Sequence, residues 1–311
     1  MFPLFNLPRV PRDEVVKQIG FTELFHFSML SKRCKTAVER AKVTVNRVKW
    51  ITEPFEYRIY VQRLISDSGP KEHFTISMNG GPSPFREASS SQQFIVEENP
   101  NYYKPIDYTF KHTQFLLEHV SAHILKIFKP AGLIFEDHSC TKIPIFWYRL
   151  NLRFERVSSI KRRDSKDEPM SHESLKFFLD HINTDTLVFN YKLAPGFQYT
   201  APLKCKKLGL PDANWFTLDN LLNTDCEKLG VGGSNITTAD LDVFFKKWKD
   251  GDFPKLKSFN IYWPLGSGWD LKIEETDENG RQILTDVHGN RGTFLDNRSC
   301  FIGFTVNLQD D

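Results

Sequence analysis

The sequence lacks several features that would assign it to a class at once. Its 311 residues contain no run of about 18 apolar residues, so no membrane-spanning helix is predicted. With 41 basic and 39 acidic residues the net charge is only +2, which is less basic than a dedicated nucleic-acid binder usually is. The five cysteines form no CxxC pair, which argues against a zinc ribbon or a thioredoxin-type site.

The chain is rich in apolar and aromatic residues. Hydrophobic residues make up 40% of it and 27 residues are Phe, which predicts a globular protein with an aromatic core. The cysteines are scattered, as is typical of reduced, buried thiols. Prolines and charges occupy the N-terminal MFPLFNLPRVPRDE, where a signal peptide would need an apolar stretch. We therefore expect an intracellular protein, in the cytoplasm, the nucleus or both.

Residues 1–44 have the pattern of three short helices. Their apolar positions fall at helical spacings. They are Val15, Val16 and Ile19 in the first segment, Leu24, Phe27 and Leu30 in the second, and Cys34, Ala37, Val38 and Ala41 in the third. A unit of this size has a small core, so it needs a neighbour or a partner.

Strand patterns and one helix follow this unit. Residues 55–62 and 74–78 alternate apolar and polar side chains, which predicts two half-buried strands. Residues 79–93 are rich in Gly, Ser and Pro and read as a loop. Residues 112–129 predict a helix that buries Leu116, Val120, Ile124 and Ile127.

From about residue 171 the chain repeats a strand-and-helix rhythm. Leu187, Leu208 and Leu229 anchor three short strands 21 residues apart, and a fourth strand follows at Ser258–Ile261. The fold class is therefore predicted as α/β: three N-terminal helices, then an irregular leucine-rich-repeat-like domain of strands and helices. Strand alternation directs the following residues inward. They are Leu187, Phe189, Leu208, Leu210, Leu229, Val231, Phe259 and Ile261.

The motifs that could carry chemistry are weak. His119 and His123 have the i, i+4 spacing of zinc ligands, but no HExxH glutamate and no third ligand accompany them. The glycine-rich stretch 230–234 fits neither GxGxxG nor a P-loop, and turn glycines explain it better. No GxSxG elbow occurs. We expect no enzyme activity, no cofactor and no metal.

The N-terminal 44 residues resemble an F-box of the nematode type. The match runs through Phe2-Pro3-Leu4, Leu7-Pro8, Val15-Val16, Ile19, Glu23-Leu24, Ser28 and Ser31-Lys32-Arg33-Cys34-Lys35. The resemblance implies a module, residues 1–44, that docks onto a Skp-type adaptor and through it onto a cullin ubiquitin ligase.

The C-terminal half resembles the F-box-associated domain that accompanies this type of F-box. The matching residues are 215–222, 241–248, Gly251 and 254–256, whereas Asp252-Phe253 departs from the family pattern. The resemblance implies that residues 45–311 form a substrate-receptor domain. The function expected is that of a substrate receptor of a Skp-cullin-F-box ubiquitin ligase. The alternative is an adaptor-bound scaffold that delivers no ubiquitin.

Two sets of candidate binding residues follow. The first 44 residues carry more apolar side chains than a three-helix core can bury, which indicates a partner surface, unless they pack on the rest of the chain. The candidate adaptor-binding residues are Leu4, Leu7, Pro8, Val15, Val16, Ile19 and Leu24. The candidate target-binding residues, on the outward face of the repeat strands, are Lys207, Lys228, Ser258 and Tyr262. No membrane or nucleic acid is expected as a partner.

Overall fold

The computed structural model describes residues 4–53, 56–64, 71–79, 94–97, 103–106, 113–138, 145–159, 170–191, 193, 195–262, 275–297 and 301–307. The chain divides into two compact units. Unit 1 comprises residues 1–139 and 144–155, and unit 2 comprises residues 140–143 and 156–311. In the described part of the chain, no helix is long and apolar enough to cross a membrane.

Unit 1 begins with helices and continues with strands. A 3-10 turn at Leu4–Asn6 precedes three helices, α1 (Arg9–Lys17), α2 (Phe21–Leu30) and α3 (Lys32–Ala41). Five strands follow: β1 (Thr44–Thr52), β2 (Glu56–Leu64), β3 (Lys71–Asn79), β4 (Phe94–Glu97) and β5 (Tyr103–Ile106). The unit then has α4 (Thr113–Ile127), β6 (Lys129–Asp137) and α5 (Phe146–Arg149). The next strand, β7 (Phe154–Ser159), spans the boundary near residue 155.

The strands of unit 1 are ordered β6-β1-β2-β3-β4-β5. Neighbouring strands from β1 to β5 are antiparallel, which confirms the two strands predicted from the alternating pattern. The pair β1–β6 is parallel, with Trp50 opposite Phe135. Helix α4 leads directly into β6, and its predicted stripe is buried: Leu116, Val120, Ile124 and Ile127. Trp50 Nε1 donates a hydrogen bond to Ser121 Oγ of α4 at 2.8 Å, which ties the helix to β1.

The N-terminal helices belong to the same compact unit as this sheet. The ring of Phe21 in α2 lies 5.1 Å from Phe74 of β3 and 5.3 Å from Phe128, and Phe25 lies 5.3 Å from Phe74. Phe74 and Phe128 are fully buried. The predicted boundary at 44/45 is therefore not where the compact units divide, because one aromatic cluster spans it. Residues on both sides of position 44 therefore share one aromatic cluster within unit 1.

Unit 2 alternates strands and helices before a closing set of strands. Its elements are α6 (His172–His181), β8 (Thr184–Val188), β9 (Lys207–Leu210), α7 (Leu218–Leu222), β10 (Lys228–Gly232), α8 (Thr238–Lys249), β11 (Ser258–Tyr262), β12 (Glu275–Thr276), β13 (Gln282–Thr285), β14 (Arg291–Asn297) and β15 (Phe301–Asn307). The strand order is β12-β13-β14-β15-β11-β10-β9-β8.

The four repeat strands are parallel and in the register that the spacing predicts. Leu187 is the partner of Leu208, Leu208 of Leu229, and Leu229 of Phe259. All eight residues predicted to point inward are buried. The closing strands β12 to β15 are antiparallel, and β15 pairs antiparallel with β11. A mixed α/β fold with N-terminal helices is therefore found.

Helix α8 covers the inner side of the unit 2 sheet. Thr237 caps the N-terminus of α8. The Thr237 side chain accepts a hydrogen bond from the Asp240 N–H at 3.2 Å, and the Asp240 side chain accepts one from the Thr237 N–H at 2.8 Å. The predicted stripe Leu241, Phe244, Phe245 and Trp248 is buried. The ring of Phe244 lies 4.9 Å from Phe259 of β11. Lys207, Lys228 and Tyr262 are exposed on the other side of β9, β10 and β11, which is the open side of the sheet.

Candidate functional site

The three N-terminal helices close their own core with small and aromatic residues. In α2 the buried residues include Phe21, Leu24, Phe25 and Ser28, and in α3 they are Cys34, Ala37, Val38 and Ala41. Ser31 caps α3 by accepting from the Cys34 N–H at 3.1 Å, and Lys42 ends it in the left-handed conformation with φ of 53°. The predicted helical spacing of the third segment is thus confirmed.

The seven candidate adaptor-binding residues separate into two groups. Val16 and Leu24 are 0% exposed, so their side chains belong to the core and not to a docking surface. The sequence alone does not distinguish Val16 from its exposed neighbour Val15, because the two valines are adjacent and chemically identical. The other five remain accessible. Of these, Leu4, Leu7 and Ile19 are half-buried, while Pro8 and Val15 are exposed.

The fold also exposes apolar residues that the sequence did not single out. Val10 of α1 is 71% exposed, and Leu30 at the end of α2 is 74% exposed, with Met29 beside it at 41%. Large apolar side chains in water are unfavourable for an isolated unit, and they mark a contact with another protein when they cluster. Val10 follows directly on Leu7 and Pro8, so the first turn of α1 adds to the candidate docking surface.

Near the start of the chain the 3-10 turn packs on the second and third helices. The ring of Phe5 stacks on Phe27 of α2 at 6.3 Å, and the guanidinium of Arg33 lies 4.5 Å from the centre of the Phe5 ring. The half-buried Leu4 and Leu7 flank this aromatic contact. The turn is therefore held in place next to the accessible residues of α1.

His123 links the N-terminal helices to α4. Its Nε2 lies 2.8 Å from Ser28 Oγ, and Ser28 Oγ donates to the Phe25 carbonyl at 2.6 Å. Burial, together with the charges of Lys35 and Lys126, lowers the pKa of His123 to about 4. His119, its partner in the supposed zinc spacing, is exposed and bonds the Phe115 carbonyl instead. Across the part of the chain that the structure describes, no cluster of three or more potential ligands could hold a metal ion.

The candidate target-binding residues lie on the open side of the unit 2 sheet. Lys207 is the strand partner of Lys228, and Lys228 is the partner of Ser258. Tyr262 lies four residues beyond Ser258 on β11, so its side chain points to the same side, and it is 51% exposed. The structure therefore brings Lys207, Lys228 and Ser258 together in one row and places Tyr262 at the far end of the last strand.

The middle of this open side carries almost no side chains. Gly209 is the partner of Gly230, Gly230 of Asn260, and Asn260 of Gly303. The sequence analysis missed this row, although the two glycines recur at the 21-residue period and could have been found from it. The result is a flat strip of backbone between the Lys207 row and Tyr262.

Lys207 and Lys228 differ from the lysines around them. Lys206, Lys255 and Lys257 pair with carboxylates, at distances between 2.6 and 3.6 Å. Neither Lys207 nor Lys228 has an ion pair with a carboxylate among the residues that the structure describes. Glu227, whose pKa is lowered mainly by its bond to Lys257, also feels the charge of Lys207. Two ammonium groups on this face are therefore available to an acidic partner.

The glycines at 230–234 have structural roles. A Cβ on Gly232 would lie 2.6 Å from the Pro211 carbonyl oxygen, and Gly233 has a φ of +59°. Both positions favour glycine because of close strand contact and turn geometry. This agrees with turn glycines as the better explanation of the stretch.

Two segments of the chain match models of known protein families. Residues 4–46 match the F-box domain model, and residues 197–261 match a model described as F-box associated. The chain is 20% identical over 290 residues to an uncharacterized protein of Caenorhabditis elegans. That alignment covers 88% of this chain but only 64% of the relative, so the chain spans less than two thirds of the relative's length. No solved structure matches the chain. The chain thus carries a segment that matches the F-box near its N-terminus and a second that matches an F-box-associated region, the arrangement in which it resembles F-box proteins of the nematode type.

Proposed function

We propose that this chain is the substrate receptor of a Skp-cullin-F-box ubiquitin ligase. In this role the F-box binds the Skp-type adaptor, the adaptor binds the cullin, and the rest of the chain holds a target protein. The receptor performs no chemistry itself. It raises the effective concentration of the target near the ubiquitin carrier, as any bivalent linker does.

One observation carries the proposal: the F-box leaves apolar side chains exposed after its own core is complete. Val16, Leu24, Phe21 and Phe25 are buried, whereas Val10 and Leu30 are each more than 70% exposed. Since this excess of apolar surface lies within the segment that matches the F-box model, an adaptor is the partner it favours.

The test is the double substitution Leu7→Ala and Pro8→Ala. Pro8 immediately precedes α1, and its carbonyl accepts the Arg12 N–H at 3.1 Å, so the change alters both the apolar contact and the entry of the helix. We expect adaptor binding to weaken by roughly 2–5 kcal/mol, the scale of an interface hot spot. The matched control is Val243→Ala, an exposed apolar position on α8 that is 42% accessible. Equal adaptor affinity for the double variant and the control, measured by calorimetry, would refute the docking assignment.

We further propose that the target binds the open side of the unit 2 sheet. Lys207 and Lys228 offer positive charge without carboxylate partners, and the exposed Tyr262 offers an aromatic contact. The glycine row between them lets an extended segment approach the backbone. Charge complementarity therefore favours an acidic or phosphorylated segment of the target. The parallel strands at 21-residue spacing also support the likeness to leucine-rich repeats, in which an exposed sheet face commonly binds partners.

The triple variant Lys207→Glu, Lys228→Glu and Tyr262→Ala tests this face. It should release captured targets while leaving adaptor binding and thermal stability nearly unchanged, because all three side chains are exposed. The control makes comparable changes on α8, two lysines to glutamate and one exposed apolar residue to alanine: Lys246→Glu, Lys249→Glu and Val243→Ala. If affinity capture under proteasome block recovers the same targets from the triple variant as from the control, the open side is not the target site.

The second candidate function is an adaptor-bound scaffold that delivers no ubiquitin. Both functions require the F-box surface, so the adaptor assay does not separate them. Turnover of a captured protein does: a receptor accelerates it in a cullin-dependent way, whereas a scaffold leaves it unchanged.

A further inference from the structure

Two cysteines occupy the same position in consecutive repeats of unit 2. Cys205 lies two residues before Lys207 and Cys226 two residues before Lys228, and these lysines are strand partners. The pairing extends to the residues between, because the Lys206 carbonyl accepts from the N–H groups of Glu227 and Lys228 at 2.8 and 3.0 Å. The two cysteines are therefore held side by side by the sheet.

The sulfur atoms are in contact. Cys205 Sγ and Cys226 Sγ are 3.8 Å apart, and the residues are only 8% and 3% exposed. A disulfide needs an S–S distance of about 2.05 Å between Cα atoms roughly 4.4–6.8 Å apart. Neighbouring strands are spaced at about 4.8 Å, so side-chain rotation can close the gap while the strands stay in register.

A cavity borders the pair on the side of Cys226. It has a volume of about 260 Å³, and Cys226 forms part of its wall. Phe253 and Leu256 line it together with the ion pair Lys255–Asp225 at 2.6 Å. A molecule as small as hydrogen peroxide fits in this space next to Cys226, whose sulfur atom contacts that of Cys205.

The surroundings shift the pKa values of the two thiols in opposite directions. The hydrogen bond with Cys226 lowers the pKa of Cys205, against the effect of burial, and a backbone hydrogen bond to Leu187 adds to the lowering. The same sulfur–sulfur contact raises the pKa of Cys226. Since the thiolate is the form that attacks an oxidant, this difference favours Cys205 as the nucleophile of the pair.

We propose that Cys205 and Cys226 are an oxidative modification site at which hydrogen peroxide forms an intramolecular disulfide. The Cys205 thiolate attacks one peroxide oxygen, the O–O bond breaks, and the hydroxide that leaves becomes water with the proton that Cys205 had released. Cys226 then attacks the sulfenic sulfur of Cys205; the S–S bond forms, the S–O bond breaks, and the departing hydroxide takes the thiol proton of Cys226. In total two thiols and one peroxide give one disulfide and two waters.

This crosslink joins β9 to β10 beside Lys207 and Lys228. It closes a loop that runs from residue 205 to residue 226, which restricts the unfolded chain and stabilises the folded unit. We expect oxidation to raise the thermal midpoint of unit 2 by on the order of 5 °C, and reduction with dithiothreitol to reverse the shift.

The experiment treats the folded full-length chain with hydrogen peroxide, blocks the remaining thiols after unfolding, and maps the peptides by mass spectrometry. We expect a linked peptide pair containing Cys205 and Cys226, and a stabilisation that Cys205→Ser and Cys226→Ser both abolish. Cys34→Ser, which removes a buried thiol in the F-box, should keep both the crosslink and the shift.

Three results would overturn the proposal. One is that both thiols stay free to react with the blocking reagent after peroxide treatment. Another is that Cys205 oxidises to a sulfinic acid without crosslinking. The last is that the thermal shift persists in Cys205→Ser, which would assign it to another residue.

Discussion

We predict that unit 1 loses stability in mild acid because His123 becomes protonated more readily in the unfolded chain than in the folded one. The unfolded chain binds a proton on this imidazole near the ordinary pKa of 6.5, whereas the folded chain binds it only near 4, because the ring is buried and faces Lys35 and Lys126. Between these values the unfolded state holds more protons, so stability falls as the pH falls from 6.5 towards 4. Above pH 6.5 the ring is neutral in both states, and the full stability is present.

The size of the effect follows from the two pKa values. At pH 4.5 the difference in proton binding would lower the free energy of unfolding by at most about 2.5 kcal/mol relative to its value at neutral pH. The ring keeps partial contact with solvent, which screens the interaction and reduces the expected loss to roughly 1–1.5 kcal/mol. Protonation also places a charge beside the Phe21 and Phe25 cluster, so the opening should begin where α2 meets α4.

The assay is urea unfolding at pH 7.5 and pH 4.5, with hydrogen exchange to locate the opening. His123→Gln keeps a hydrogen-bonding group near Ser28 but cannot gain the proton, so its stability should fall less between the two pH values than that of the parent chain. His119→Gln, one helical turn away on the exposed side of α4, should behave like the parent. If His123→Gln and the parent lose the same free energy of unfolding, the imidazole is not the acid-sensitive group, and the reasoning fails.

Two other changes test the packing. Phe25→Ala should destabilise unit 1 by about 3–5 kcal/mol in urea unfolding, since it empties a fully buried aromatic site, while Leu30→Ala on the same helix should cost less than about 0.5 kcal/mol. Gly232→Ala should lower the thermal midpoint of unit 2, at a cost of about 1–3 kcal/mol, because its Cβ would collide with the Pro211 carbonyl. Gly209→Ala, where the nearest atom is a Val188 methyl at 3.5 Å, should be tolerated, and equal midpoints for the two variants would contradict the steric argument.

The sequence determined the repeat part of unit 2 well because its signals are local and periodic. Leucines 21 residues apart define parallel strands in register, and strand alternation then assigns each side chain to one side of the sheet. Helix α8 was predictable for the same reason, since its capping residues and its apolar stripe lie within 12 residues of one another. The candidate target row, Lys207, Lys228 and Ser258, followed directly from this register.

The sequence determined less about the N-terminal unit. Its helical spacing was correct for α3, but Val15 and Val16 look alike in the sequence, and only the packing shows that one is exposed and the other buried. The parallel pairing of β1 with β6 joins strands about 85 residues apart, so no local sequence pattern predicts it. For the same reason the sequence did not predict the aromatic cluster that packs the F-box helices on the sheet. Its members are Phe21, Phe25, Phe74 and Phe128.

Local patterns thus fixed which segments form helices and strands, which residues the repeat strands bury, and the likeness to an F-box protein. Tertiary structure decided which apolar residues remain for a partner, where the compact units divide, and that Cys205 and Cys226 touch. The physical reason is that a side chain's exposure depends on what long-range packing brings against it. A period in the sequence reveals such contacts only where consecutive strands pair in register, as β9 and β10 do beside the two cysteines 21 residues apart.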